Sequence, residues 1–171
     1  MASIRWMQGK YKPQFPEKYV GDISKITFRS SWELVVFKFM DETPEIVAWG
    51  SEIEVINYFD PMKNKMRKYF MDIKMAYRKA DGTAQVTLIE IKPYKQTIKP
   101  RANKNKSEKT IFDERATWIT NSAKWDAAKK LCDEKGWSFK IWTEKDIYGG
   151  IDSGYPAAKS KPKRKPVRKA I

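Results

Sequence analysis

The chain reads Val86-Thr87-Leu88-Ile89-Glu90-Ile91-Lys92 along one nearly continuous apolar stretch that ends in charged residues. Apolar side chains without polar alternation are typical of a central strand that is buried on both faces. Glu90 and Lys92 lie two positions apart, so their side chains share one face of that strand. A buried charge is costly unless it is paired or binds a metal. The stretch therefore predicts a central strand with functional charges at its end.

A second acid, Asp72, lies upstream, and Asp81-Gly82 between the two segments predicts a β-hairpin. A three-residue loop sets Asp72 directly opposite Glu90, whereas a two-residue loop pairs Asp72 with Ile91. In the first register the two β-carbons lie roughly 5 Å apart. A divalent cation with oxygen ligands relieves the resulting repulsion. The alternative from geometry alone is a pair of partly solvated carboxylates on a sheet face.

The surrounding patterns predict an α/β fold with a mixed sheet, because the last strand follows a helical crossover. Ser30 and Glu33 form a possible capping box for a first helix that stops at residues 41–44. The other predicted elements are strands at 52–59, 66–78 and 84–92, a helix at 112–135 ended by Gly136, and a strand at 137–142. Residues 95–109 are polar and cationic, and we expect a mobile loop there.

Composition restricts the possible functions. The 171 residues suit one globular domain, and the absence of histidine excludes most hydrolytic chemistries. A single cysteine, Cys132, excludes intramolecular disulfides and multi-cysteine zinc sites. No apolar run approaches the length needed to span a membrane, so we expect no membrane partner. The net charge of +14 favours polyanionic partners, although charge alone does not separate DNA from RNA or an anionic membrane.

The basic residues are concentrated at the C-terminus. Seven lie in the last 13 positions, with two prolines and no acid, so residues 146–171 are expected to form a disordered basic tail. A tail of this kind either improves solubility or contacts nucleic acid, and the charge density favours the second. The candidate DNA-binding residues of the tail are Lys161, Lys163, Arg164, Lys165 and Arg168.

With Asp72, Glu90 and Lys92 as its acids and lysine, the chain resembles the PD-(D/E)xK nuclease superfamily, whose restriction-endonuclease-like core is a mixed β-sheet flanked by helices. Residues 18–145 more specifically resemble the head-completion nucleases of contractile-tailed bacteriophages, and more distantly the TnsA-type transposon endonucleases. The segments that carry the specific resemblance are residues 29–33, 44–52, 69–73 and 89–93, together with Thr117, Trp118, Asn121, Lys124 and Trp125. Met71, where the superfamily name has proline, is the one departure.

The resemblance implies a catalytic set of Glu33, Asp72, Glu90 and Lys92. It implies that Asp72, Glu90 and the Ile91 carbonyl hold Mg²⁺, with Mn²⁺ expected to substitute, and that Glu33 serves a second ion. Capping of the first helix is the competing role of Glu33, and the two roles are compatible.

The later helix is implied to carry Lys124 and Asn121 as contacts to the DNA backbone. For Asn121 a purely structural role is equally compatible with the sequence.

The implied organisation is an irregular N-terminal arm at 1–28, a nuclease core at 29–145 and the tail. The implied function is metal-dependent cleavage of double-stranded DNA during head completion, after DNA packaging. The host cytoplasm is the implied location, with incorporation into the virion left open and phage head or neck proteins as candidate partners. Two alternatives remain: a non-catalytic DNA-binding component of the head–tail junction, and a TnsA-like transposon or repair endonuclease.

Overall fold

The computed structural model describes residues 7–101 and 103–149. The predicted basic tail beyond residue 149, with its five candidate DNA-binding residues, lies outside the described residues. The strands are β1 (Gly9–Lys10), β2 (Thr27–Phe28), β3 (Ile46–Ser51), β4 (Val55–Asp60), β5 (Lys65–Phe70), β6 (Ile73–Arg78), β7 (Ala84–Ile91) and β8 (Ser138–Trp142). The α-helices are α1 (Ser31–Glu42), α2 (Glu108–Lys135) and α3 (Glu144–Gly149), and single 3₁₀ turns lie at Pro16–Lys18, Ile23–Lys25 and Tyr94–Thr97.

The main sheet has the order β3-β6-β7-β8. Its first three strands are antiparallel, and β8 runs parallel to β7 because α2 carries the chain back across the sheet. Residues 87–91 of β7 are all buried. The predicted α/β class, mixed sheet and buried central strand are therefore confirmed.

Alternation along the strands divides the apolar residues between two cores. Ile73 and Ile89 face the α1 side of the sheet, where they pack with Trp49. Leu88 faces the opposite side and packs with Met71 and α2. Because Glu90 and Lys92 share the parity of Leu88, they point to the α2 side, where the separate β4–β5 sheet also lies.

The hairpin between β6 and β7 adopts the three-residue register. Ile73 pairs with Ile89 and Lys74 with Leu88, and the Lys79 amide donates to the Thr83 carbonyl at 2.8 Å to close the loop. Gly82 supplies the left-handed conformation of the loop, with φ of +84°. Continuing the same register by one position places Asp72 opposite Glu90.

The prediction of one strand at 66–78 is wrong. The segment is two strands: β5 pairs with β4, whereas β6 belongs to the main sheet. The break lies at Met71, whose amide donates to the Glu54 carbonyl at 3.0 Å and whose side chain is fully buried. Glu54 belongs to the segment that connects β3 to β4, and its hydrogen bond to Met71 holds the chain where it passes from one sheet to the other.

The strand predicted at 52–59 begins later, at Val55, and a separate strand, β3, precedes it without having been predicted. Glu52 lies between them in a left-handed conformation, with φ of +56°, which ends β3.

The last two helices also differ from the predicted bounds. α2 begins at Glu108 because Ser107 Oγ accepts from the Thr110 amide at 3.2 Å, and it ends, as predicted, before Gly136. α3 was not predicted, and its Ile147 is only 1% exposed, so the first four residues assigned to the tail belong to the folded core. In the described ranges, no helix is both long and apolar enough to cross a bilayer.

The N-terminal segment from residue 7 docks onto the core through one buried carboxylate. Asp41, with no exposed surface, accepts hydrogen bonds from the Tyr11 hydroxyl at 2.9 Å and from the amides of Gln14 and Phe15 at 2.6 and 3.0 Å. Lys18 Nζ donates to the Asp41 carbonyl at 2.8 Å. The end of α1 thus fixes a segment that was predicted to be irregular and that contains the short paired strands β1 and β2.

Asp41→Ala should lower the free energy of unfolding by about 1–3 kcal/mol, because it leaves three part-buried donors without their acceptor. Urea denaturation at neutral pH measures the change. Glu42→Ala, an exposed neighbour at the same helix end, is the control and should stay within about 0.5 kcal/mol of the wild type. Equal stability of the two variants would contradict this role of Asp41.

Candidate active site

The site lies at the end of the main sheet where β6 begins and β7 ends. Asp72, one residue before β6, accepts a hydrogen bond from the Ile91 amide through Oδ2 at 2.7 Å. This bond continues the hairpin pairing past the last paired residues and orients the carboxylate toward the end of β7. The hairpin therefore places Asp72 and Glu90 side by side, as the three-residue register requires.

Both carboxylate oxygens of Glu90 have partners. The side chain is 1% exposed; Oε1 pairs with Lys92 Nζ at 2.8 Å, and Oε2 accepts from the Tyr69 hydroxyl at 2.5 Å. The Tyr69 contact comes from β5, a strand of the other sheet. Glu90 is thereby held from two directions.

Burial and like charge act together on the acids. Burial, followed by the charge of Glu90, raises the pKa of Asp72 to about 8, against smaller lowering effects from Lys92 and the Ile91 amide. Burial opposes the charge of Lys92, but Glu90 and Asp72 outweigh it, so the pKa of Lys92 is raised. Lys92 is therefore a firmly protonated ammonium beside two acids that repel each other.

Glu33 serves the end of α1 and also influences the site. Ser30 Oγ accepts from the Glu33 amide at 3.1 Å, and Glu33 Oε2 accepts from the Arg29 amide at 2.7 Å, one residue earlier than in the predicted capping box. The negative charge of Glu33 contributes to the raised pKa values of Asp72 and Lys92. The arrangement is compatible with both roles expected for Glu33.

The oxygen donors suit a hard divalent cation. No group of three or more histidine, cysteine, aspartate or glutamate side chains forms a ready metal site among residues 7–101 and 103–149. The Asp72 and Glu90 carboxylates and the Ile91 carbonyl are nevertheless the ligand types that Mg²⁺ takes in proteins. A bound cation would offset both the burial and the charge of Glu90 that raise the pKa of Asp72.

The two candidates on α2 are placed differently. Lys124 Nζ lies over the rings of Tyr69 and Tyr58, 5.3 and 5.8 Å from their centroids, and burial and the charge of Lys92 lower its pKa. Asn121 is 6% exposed, and its Nδ2 has no hydrogen-bond partner within the described ranges. Lys124 thus belongs to the electrostatic surroundings of Glu90 and Lys92, and Asn121 to the inner face of α2.

Sequence reasoning missed several partners of the site. Tyr69 was not expected to contact Glu90, because a strand pattern does not show that β5 turns toward the other sheet. Lys74 pairs with Glu54 at 2.6 Å and lies over the Trp137 ring, and Arg29 forms an ion pair with Glu52. All of these contacts cross between separate elements.

Cys132 is buried, and burial raises the pKa of its thiol to about 11. A buried thiol with a raised pKa is a poor nucleophile.

Comparison with known proteins identifies the family of the chain. Residues 43–144 match the TnsA-like endonuclease N-terminal family. Over 139 residues the chain is 45% identical to the head completion nuclease of Enterobacteria phage T4, an alignment that covers 80% of this chain and 90% of that protein. No solved structure matches the chain. The predicted resemblance is confirmed: the chain is a relative of the phage head completion nuclease, and it belongs to the TnsA-like endonuclease family.

Proposed function

We propose that the protein is a Mg²⁺-dependent endodeoxyribonuclease that hydrolyses phosphodiester bonds of double-stranded DNA during phage head completion, after packaging. The observation that carries the proposal is that Asp72, Glu90 and Lys92 lie together at one end of the two central strands. Two adjacent acids that repel each other and a protonated lysine form a site for a cation and a phosphate. None of this chemistry needs histidine, in agreement with the composition.

Asp72, Glu90 and the Ile91 carbonyl are the proposed ligands of Mg²⁺, with Glu33 available to a second ion directly or through water. When bound, the ion supplies an activated water and neutralises charge on the phosphate. Mn²⁺ is expected to substitute because it accepts the same oxygen ligands.

The side chains around these ligands have separate tasks. The Ile91 amide orients Asp72, and the Tyr69 hydroxyl holds Glu90. Lys92 has its ammonium next to the reacting phosphate, where it positions the attacking water and stabilises the developing negative charge. Its pairing with Glu90 keeps that ammonium in place before DNA arrives.

Other cations extend the contact with DNA. Lys124 feels the positive charge of Lys92, which lowers its pKa, and it is proposed to contact a neighbouring phosphate. Asn121 is a further proposed contact through its unpartnered amide. The tail residues Lys161, Lys163, Arg164, Lys165 and Arg168 are proposed to bind the DNA backbone without sequence preference.

The biological setting follows from the similarity to the phage protein. We place the activity in the host cytoplasm, with phage head or neck proteins as partners and incorporation into the virion as a further possibility. A non-catalytic junction protein is the second candidate, but it has no need of two opposed carboxylates beside a lysine. A TnsA-like enzyme would require a partner protein, so cleavage by the purified chain alone separates the two nuclease roles.

Asp72→Asn, Glu90→Gln and Lys92→Ala should each reduce cleavage by a factor of about 100 or more, because each removes a charged group from the reacting centre. Plasmid cleavage with Mg²⁺ or Mn²⁺, linear and supercoiled, measures the loss. Asp81→Asn in the exposed turn of the same hairpin is the matched control and should cleave like the wild type. Full activity in a folded Asp72→Asn or Glu90→Gln preparation would reject the assignment.

Binding of Mg²⁺ or Mn²⁺ should raise the melting temperature, because the cation binds the folded protein and relieves the repulsion between Asp72 and Glu90. At one hundred times the dissociation constant the gain is about 2.7 kcal/mol. Thermal melts in EDTA, Mg²⁺ and Mn²⁺ measure it, with Asp72→Asn beside the wild type.

Asp72→Asn should show no metal-dependent shift. In EDTA the variant should also be more stable than the wild type, by a margin that grows as the pH rises from the usual aspartate pKa of about 4 to the raised pKa of about 8 and stays constant above it. The reason is that the folded wild type resists the ionisation of Asp72 over this range, whereas the unfolded chain does not. An equal metal shift in both proteins would mean that the ion binds elsewhere.

Deleting residues 157–171 removes seven cations and no proposed metal ligand. DNA affinity should fall and its dependence on salt should become shallower, because fewer counterions are released on binding. Fluorescence anisotropy with a labelled duplex over a salt series measures both. If truncation changes neither quantity, the tail has another partner.

A further inference from the structure

A basic concavity of about 940 Å³ lies between the described part of segment 95–106 and the first half of α2. Five cations line it against two acids, Asp113 and Glu114. The cations are Lys95, Lys99, Arg101, Lys104 and Lys106. Lys106 is paired with Glu114 at 2.7 Å, whereas the other four are exposed and form no ion pair with any residue in the described ranges. We call this concavity the basic pocket.

Contacts at both ends hold the wall of the pocket. At its start the Tyr94 amide donates to Glu144 Oε2 at 2.8 Å, and Lys145 Nζ lies 3.3 Å from the centre of the Tyr94 ring. At its end the Lys106–Glu114 pair ties the segment to α2. These contacts hold both ends of the segment for which the sequence predicted a mobile loop.

Both walls of the pocket are joined to the active site along the chain. Lys95 follows Lys92 by three residues on one wall. On the other wall Trp118 precedes Lys124 by six residues of α2, which corresponds to about 9 Å along the helix axis. One strand of a duplex rises by about 3.4 Å per nucleotide along the helix axis, so this distance corresponds to between two and three nucleotides of duplex. A DNA strand that leaves the active site along α2 thus reaches the pocket.

The lining of the pocket combines charge with flat apolar surface. Trp118 is half-buried and stands edge-on to Trp125, with ring centroids 5.9 Å apart. Ile98 and Pro100 contribute apolar surface from the opposite segment. Pockets of roughly 300–1,000 Å³ enclose ligands of drug size, so this one accepts one or two nucleotides and not a duplex. A basic groove with a ring for base stacking is the usual means of binding a single strand.

We propose that the basic pocket binds unpaired nucleotides of the DNA substrate, next to the scissile phosphate. Lys99, Arg101 and Lys104 hold the backbone, and a base stacks on Trp118. The preferred substrate is therefore DNA with a single-stranded end or branch. This inference rests on the proposed nuclease function and specifies its substrate class.

The test is equilibrium binding in EDTA, where cleavage does not occur. Fluorescence anisotropy compares a labelled blunt duplex with the same duplex carrying a short single-stranded extension. The wild type should bind the extended duplex more tightly by at least about fivefold, the lower value for one stacked base. Equal affinity for the two DNA forms would overturn the proposal.

Variants locate the preference. Two variants are compared with the wild type: the double variant Lys99→Ala/Arg101→Ala, which changes exposed residues only, and the single variant Trp118→Ala. Each should abolish the preference for the extension. Lys38→Ala/Lys79→Ala removes two exposed cations from α1 and from the hairpin turn and is the matched control, which should retain the preference. Circular dichroism melts check that each variant is folded. If Trp118→Ala unfolds, the double variant Lys99→Ala/Arg101→Ala still decides the test.

Two further outcomes would also reject the pocket assignment. If the double variant Lys99→Ala/Arg101→Ala lowered the affinity for blunt and extended DNA equally, these cations would contact the backbone of the duplex. If the variant kept the preference for extended DNA, the unpaired strand would bind elsewhere. All of these measurements record binding and not cleavage. If the plasmid assay showed that the protein does not cleave DNA, the binding preference could therefore still be interpreted.

Discussion

Asp72 and Glu90 bring two carboxylates together at the end of a hairpin, in surroundings that favour neither charge. The hairpin register sets how closely these like charges approach. Neighbouring groups stabilise both carboxylates: the Ile91 amide donates to Asp72, and Lys92 and Tyr69 bind Glu90. The site is therefore organised before any cation or DNA arrives. The remaining imbalance of charge is what makes a divalent ion a favourable occupant.

The scaffold explains why these groups meet. β7 is central, so Glu90 is buried on the α2 face, and β5 reaches the same face from the separate sheet to deliver Tyr69. α2 then closes the face with Lys124 and extends past it to Trp118. One helix thus connects the proposed chemistry to the basic pocket, and the approach of DNA along α2 would engage both.

Sequence predicted those parts of the structure that depend on local signals. Asp81-Gly82 predicted the turn but left two registers open, of which the structure adopts the one that sets Asp72 opposite Glu90. The split at Met71 was not predictable, because the segment has no glycine or proline there and its two halves differ only in their partner strands. The Tyr69–Glu90 bond was missed for the same reason: it joins two sheets.

The central claim is that Asp72 and Glu90 share one metal ion. Anomalous diffraction from crystals soaked in Mn²⁺ tests it most directly, because the signal locates the ion without reference to activity. The account predicts a peak between the two carboxylates, within bonding distance of both and of the Ile91 carbonyl, together with loss of the Glu90–Lys92 contact or its rearrangement. A peak elsewhere, or no peak with that ion pair unchanged, would contradict it.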